Sequence, residues 1–175
     1  MGSPGIAIVL AQLGTPDAPT TPALRRYLRE FLGDQRVVEQ NPVLWWFVLN
    51  GTILPTRPAK SAKLYQEIWT EKGSPLLLYS QDQAAGLQRL MGDGVRVELA
   101  MRYGNPSMSS ALERLAAEGV DRILIFPMFP QYSSATTGSV HDAVFEHCRR
   151  TRVIPALRFV PPRSEERRVG KECRL

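Results

Sequence analysis

The residues best equipped for chemistry crowd into one stretch, Phe126-Pro127-Met128-Phe129-Pro130-Gln131-Tyr132-Ser133-Ser134-Ala135-Thr136-Thr137-Gly138-Ser139. Ser133, Ser134, Thr136, Thr137 and Ser139 offer hydroxyls, and Gly138 lets backbone approach a ligand closely. Tyr132 and Phe129 add flat apolar surface, and the prolines stiffen the whole. Such a wall suits a large, flat ligand with polar edges. The same residues would equally make an ordinary polar loop with a good helix cap. β-favouring Arg122-Ile123-Leu124-Ile125 precedes the stretch, and Val140, Val144 and Cys148, spaced as on a helix, follow it. It therefore sits where a strand hands over to a helix, the place where open α/β sheets collect ligands.

Other candidate groups are scattered. His141 and His147 are six apart, so they do not share a helical face, and they read as surface or half-buried helix residues rather than metal ligands. Asp17, Asp34 and Glu39 follow strand or helix ends and could be catalytic, although solvated loop charges are the simpler reading. Arg57 and Arg102 are suited to pair with a ligand carboxylate. No glycine-rich dinucleotide fingerprint or phosphate loop is present, and no Ser-His-Asp or Cys-His arrangement can be argued from the order of residues. These residues alone leave the catalytic group undefined.

Composition narrows the class. The 175 residues suffice for one domain with a real core, and the apolar and charged fractions are those of a soluble globular protein. No apolar run is long enough to span a bilayer. The start of the chain has no basic leader pattern, so no signal peptide is expected. Cys148 and Cys173 are too few for a disulfide framework, which favours a reducing, cytoplasmic setting. Residues 163–175 contribute +2 of the net charge of +5. The remaining mild basic bias fits an anionic small molecule or membrane surface, and no nucleic-acid motif accompanies it.

The elements that must position these groups alternate. Ile6-Ala7-Ile8-Val9-Leu10-Ala11 reads as a strand buried on both faces, ending in a Gln12-Leu13-Gly14-Thr15-Pro16 loop. Thr20-Thr21-Pro22 starts an amphipathic helix with Leu24, Tyr27, Leu28, Phe31 and Leu32 inward, and Gly33 is placed to end it. Helices are expected over 57–69 and from Ser74-Pro75 to Gly92. A strand follows at 95–100, then a turn at Met101-Arg102-Tyr103-Gly104. Asn105-Pro106 caps a helix ending at Gly119. The 122–126 strand leads to the hydroxyl-rich stretch and its helix, and Val153-Ile154 with 157–160 gives a last strand. Strand–helix alternation predicts an α/β fold with a parallel four-stranded sheet flanked by helices in three layers.

Residues 42–55 are the oddity. Val43-Leu44-Trp45-Trp46-Phe47-Val48-Leu49 is apolar all round, so it is either buried core or an exposed apolar lip that covers a ligand or dips into a bilayer interface. Its place between proline-rich loops favours the lip.

Six blocks then carry a resemblance. Gln12-Leu13-Gly14-Thr15-Pro16-Asp17, Phe31-Leu32-Gly33-Asp34-Gln35-Arg36-Val37-Val38, Arg57-Pro58 with Lys60-Ser61-Ala62-Lys63-Leu64-Tyr65, Ile68-Trp69 with Gly73-Ser74-Pro75-Leu76, Met101-Arg102-Tyr103-Gly104, and Pro130-Gln131-Tyr132-Ser133 with Thr136-Thr137-Gly138-Ser139 stand in the order seen in ferrochelatases. The resemblance covers residues 5–160 and matches the N-terminal half of that family, one Rossmann-like (chelatase-like) half of two. It implies insertion of ferrous iron into protoporphyrin IX to make protohaem, with both as substrates and no cofactor required. Arg57, Tyr65 and Ser74 match positions that contact the porphyrin, and Leu13 one that faces the macrocycle, where leucine tilts the substrate toward protoporphyrin rather than coproporphyrin. Arg102, Tyr103, Tyr132 and Ser133 match the cleft wall. Trp45, Trp46 and Phe47 match the lip, which in membrane-associated relatives touches the bilayer, so peripheral membrane contact is implied.

The family's catalytic histidine and glutamate belong to its other half, so the resemblance places no catalytic or metal-ligating residue in this chain, and that role is not carried to His141 or His147. Residues 1–162 are expected to form the domain and 163–175 a foreign or disordered tail on a truncated chain. The competing readings are a non-catalytic porphyrin- or haem-binding module and an α/β ligand-binding domain unrelated to porphyrins.

Overall fold

The computed structural model describes residues 5–161. The expected tail lies outside the described residues. Four strands form one parallel sheet in the order β2-β1-β3-β4, where β1 is Ile6–Thr15, β2 Arg96–Gly104, β3 Arg122–Pro127 and β4 Ala156–Phe159. The parallel four-stranded α/β architecture expected from the sequence is thus the observed one.

β1 is central and is covered on both faces, which explains its unbroken apolar run. Ala7, Val9 and Ala11 face α5 (Met108–Ala117) and α6 (Ser139–Arg150), packing with Leu112, Leu115, Val140 and Val144. Ile8 and Leu10 face the other way, with Val97, Leu99 and Met101, onto α4 (Pro75–Met91). Toward β4 this second face is less covered, and Leu124, Phe126 and Met128 are only half-buried.

A third cluster sits at the carboxyl ends of β1 and β2. Here α1 (Thr21–Gly33) and α3 (Leu54–Ile68) bring Leu24, Tyr27 and Ala62 against Tyr103, with Leu13, Phe31, Val37 and Tyr65 packed around them. Leu24 is fully buried, and burying a leucine contributes roughly 1.5–3 kcal/mol.

Two strand ends run further than the sequence suggested. Gln12-Leu13-Gly14-Thr15 continues β1 and Met101-Arg102-Tyr103-Gly104 continues β2, pairing Gly14 with Tyr103 and Thr15 with Gly104. Gly14 (φ +117°) and Gly104 (φ +82°) hold conformations that residues with a Cβ rarely adopt. A Cβ on Gly14 would lie 1.8 Å from the Tyr103 carbonyl oxygen. These glycines close the ladder where breakers were expected to end it.

Other boundaries also moved. Ser107, not Asn105-Pro106, caps α5, its Oγ accepting from the Ser110 N–H at 3.2 Å. Thr20 stands at the cap of α1, but its hydroxyl makes no capping bond. Val153 and Ile154 are exposed loop residues, and the last strand begins at Ala156. Residues 42–55 are helical: α2 (Pro42–Val48) runs through a π-helical turn (Leu49–Ile53) into α3.

Candidate functional site

The site is built where β1, β2 and β3 end and three connecting segments meet. The first is the turn after α1. Asp34 is its focus. One carboxylate oxygen accepts from Arg102 Nη2 at 2.6 Å, Ser139 Oγ at 2.6 Å and the Tyr103 hydroxyl at 2.8 Å, and the other from the Arg36 backbone N–H at 2.8 Å. Burial alone would raise the carboxyl's pKa. The hydrogen bonds from Ser139, Arg36 N–H and Tyr103, with the Arg102 charge, outweigh it and hold the group below its ordinary value. Asp34 had read as a loop charge; its side chain is instead only 9% exposed.

Its partners come from far along the chain. β2 supplies Arg102 and Tyr103, and α6 supplies Ser139. Arg102 is also stacked on the Tyr103 ring, its guanidinium carbon 4.5 Å from the centroid. Tyr103 has no exposed surface, and burial pushes its pKa up to about 12. Expected in the cleft wall, Tyr103 therefore has no surface to offer a ligand and acts through its bonds to Asp34 and Ser139. The larger of two hollows that Arg102 lines, about 770 Å³, lies between α1, α5 and α6, bordered by Glu30, Ser107, Asp142 and Arg149. Arg36 reaches back from the same turn to Asp142 of α6, one bond being 2.9 Å from Nη2 to Oδ1. Its side chain lies across Gly138, where a Cβ would meet Nη1 at 3.2 Å and the Tyr132 hydroxyl at 3.3 Å.

The second segment is the hydroxyl-rich stretch. After β3 it forms a π-helical turn (Ser134–Gly138) that runs straight into α6. Tyr132 and Ser133 are exposed at its start, while Thr137, Gly138 and Ser139 are buried. His141 follows in α6, its ring 4.2 Å from that of Phe159, with Nε2 buried and unpartnered. Burial, and then the charge of Arg36, lower its pKa.

The third segment is α2, an apolar helix with no buried residue. Asn41 caps it, its side chain accepting from Val43 N–H at 3.0 Å and Leu44 N–H at 3.2 Å. Trp46 is 59% exposed and Phe47 63%, their rings meeting edge to face. Trp45 is the exception. It is half-buried, and its Nε1 donates to the Leu32 carbonyl at 2.7 Å, tying α2 to the last turn of α1.

The remaining expected residues divide. Leu13 and Tyr65 are half-buried in the α1–α3 cluster. Tyr27 lies beside Tyr65 and donates to the Gly14 carbonyl at 3.3 Å, and burial raises its pKa. Ser74 is buried, its hydroxyl 2.8 Å from that of Thr15, joining the start of α4 to the end of β1. Arg57 is exposed on α3. The structure thus gathers Leu13, Tyr65, Ser74, Arg102 and Tyr103 around the ends of β1 and β2. The hollows lined by Arg102 and by Trp45 include neither Arg57 nor Tyr132 and Ser133. Sequence reasoning missed the linking roles of Asp34, Arg36 and Thr15, whose one signal was their place at or just after element ends.

Comparison with known proteins supplies the family. The model of the ferrochelatase family matches residues 5–167. The chain is 54% identical over 160 residues to the ferrochelatase of Herminiimonas arsenicoxydans, covering 90% of this chain and 44% of that protein. It is 55% identical to the ferrochelatase of Thioalkalivibrio sulfidiphilus, with 91% and 44% covered, and 56% identical to that of Polaromonas sp. JS666, with 88% and 43% covered. The chain therefore spans under half the length of the curated relatives it matches. With nearly all of its own length matched and about half its residues shared with them, the chain belongs to the ferrochelatase family.

Proposed function

We propose that this chain forms the porphyrin-binding wall and lip of a ferrochelatase, an enzyme that inserts ferrous iron into protoporphyrin IX. The exposed apolar α2, rooted through Trp45 beside the Asp34 network, carries this reading. An apolar macrocycle is held by apolar surface, which exposed Trp46 and Phe47 offer, as do the half-buried Leu13 and Tyr65. Arg57 is the charge that meets a propionate, since it is exposed and no ion pair among the described residues engages it. Binding energy from wall and lip can hold a macrocycle bent so that a pyrrole nitrogen points at the incoming ion; a few kcal/mol of strain is typical of such distortion. Exposed Tyr132 and Ser133 offer a further polar edge, and Arg102 is held by Asp34 at the end of β2. Leu13 favours protoporphyrin over more polar porphyrins at the position it occupies.

The lip serves a second contact, at the membrane surface. Among the described residues no helix is long and apolar enough to cross a bilayer, whereas a short Trp- and Phe-bearing helix is suited to lie at its interface.

Titration of the purified chain with protoporphyrin IX, followed by tryptophan quenching and the porphyrin absorption band, tests the reading. Saturable binding is expected, weakened at least tenfold by Trp46→Ala with Phe47→Ala and by Arg57→Ala, without haem formation when ferrous iron is added. Equal affinity in all variants, or no saturation, overturns the binding site. Haem above background overturns the division of labour. Tight one-to-one binding indifferent to any further ferrochelatase sequence favours a non-catalytic porphyrin-binding module.

A further inference from the structure

A second cavity lies at the opposite end of the sheet from the loops that follow β1 and β3. Its volume is about 390 Å³, and α5, α6 and the starts of β3 and β4 enclose it. Leu112, Ile123, Pro155 and Leu157 make its wall largely apolar. That size is within the range of roughly 300–1,000 Å³ usual for small-molecule sites.

One polar side chain in it is unspent. His147 is 8% exposed and lines the cavity, and neither ring nitrogen is hydrogen-bonded to another described residue. The ring nitrogens keep some contact with solvent-sized space, so a ligand hydroxyl can take the place of water as their partner. The neighbouring polar groups are occupied or at the rim. Thr151 Oγ1 donates to the Cys148 carbonyl at 3.2 Å. The Asp121 carboxylate is largely exposed and accepts from Arg122 Nε at 3.4 Å.

The surroundings also select against an anion. α6 ends here, presenting its carbonyl end, and Asp121 adds a negative charge. We propose that this cavity binds a small, neutral, largely apolar molecule carrying one hydroxyl group, such as a phenol, with the hydroxyl bonded to His147. The site is independent of the porphyrin wall, since it shares no residue with it and opens at the other end of the sheet.

The probe is 2-naphthol, which is neutral at pH 7, titrated into the purified chain while the His147 ring C–H and the Leu112 and Leu157 methyl resonances are followed by NMR. Saturable one-to-one shifts are expected, with naphthalene binding about tenfold more weakly. Ala116→Phe, which fills the cavity mouth from an exposed position on α5, should abolish the shifts, and His147→Phe should erase the preference for 2-naphthol over naphthalene. Protoporphyrin affinity should be unchanged in both variants. Absence of saturation, shifts that survive Ala116→Phe, or equal affinity for naphthalene in the parent chain would overturn the proposal. So would movement of the same resonances with protein concentration alone, which would make the rim, with exposed Val153 and Ile154, a contact between copies.

Discussion

The carboxylate of Asp34 lies 2.6 Å from Nη2 of Arg102, although the two are 68 positions apart in sequence. This pair joins the end of α1 to the end of β2, and through Ser139 to the start of α6. Asp34→Asn removes the charge while keeping the shape. It should lower the unfolding free energy by roughly 2–4 kcal/mol, somewhat less than for a fully buried pair because Arg102 retains some exposure. Urea unfolding measures it. Because the folded-state pKa of Asp34 is depressed, the stabilisation is present above the ordinary carboxylate pKa of about 3.9 and lost as pH falls through the lower folded value. The parent and Asp34→Asn curves should therefore converge on acidification. A constant difference down to the acid limit would show that the charge is not what matters.

Tyr103 gives the opposite pH dependence. Burial raises its pKa to about 12, so its contribution is fully present below the unfolded value of about 10 and disappears as pH rises through about 12. Tyr103→Phe should make the chain less stable at neutral pH by about 1 kcal/mol, through loss of its bonds to Asp34 and Ser139. It should also blunt the alkaline loss of stability. Spectrophotometric tyrosine titration of parent and variant checks both.

The two adjacent tryptophans should separate cleanly. Trp45→Phe forfeits the bond to the Leu32 carbonyl and should cost about 1 kcal/mol. Trp46→Ala, at an exposed position, should change stability by no more than about 0.5 kcal/mol while reducing binding to vesicles of anionic lipid. Equal stability losses would mean that α2 is core rather than lip.

Gly14→Ala should be among the most damaging single changes. The added Cβ meets the Tyr103 carbonyl, and the backbone sits at φ +117°. A loss above about 4 kcal/mol, or failure to fold, is expected. Gly33→Ala, with nothing within 4 Å of the built Cβ, is the control and should be nearly neutral by the same unfolding measurement.

How much of this was legible depended on range. The apolar runs at 6–11 and 122–126 and the one-sided helix at 21–33 announce themselves because burial on a strand or helix imposes a local period. The glycines at 14 and 104 misled, since breakers usually end strands; here they permit two strand ends to close on each other, which only the pairing partner reveals. Arg102 invited pairing with a ligand carboxylate, and the carboxylate it meets is Asp34. Spacing carries no sign of that bond, or of Thr15 with Ser74. Composition left Trp46 either core or exposed, and only its place between proline-rich loops favoured the exposure that the structure shows. The hydrogen bond of Trp45, which makes one tryptophan an anchor and leaves the other free, was not readable from two identical letters.

The sheet order also bears on how the protein is made. β1 occupies an interior slot, yet it is synthesised before both of its flanking neighbours, which begin at Arg122 and Arg96. At about 5–20 residues per second, roughly 5–20 s pass between synthesis of the first strand and the arrival of a pairing edge. Throughout that interval a sticky, uncharged segment waits without either pairing partner, which makes it a natural client for chaperones that act during translation.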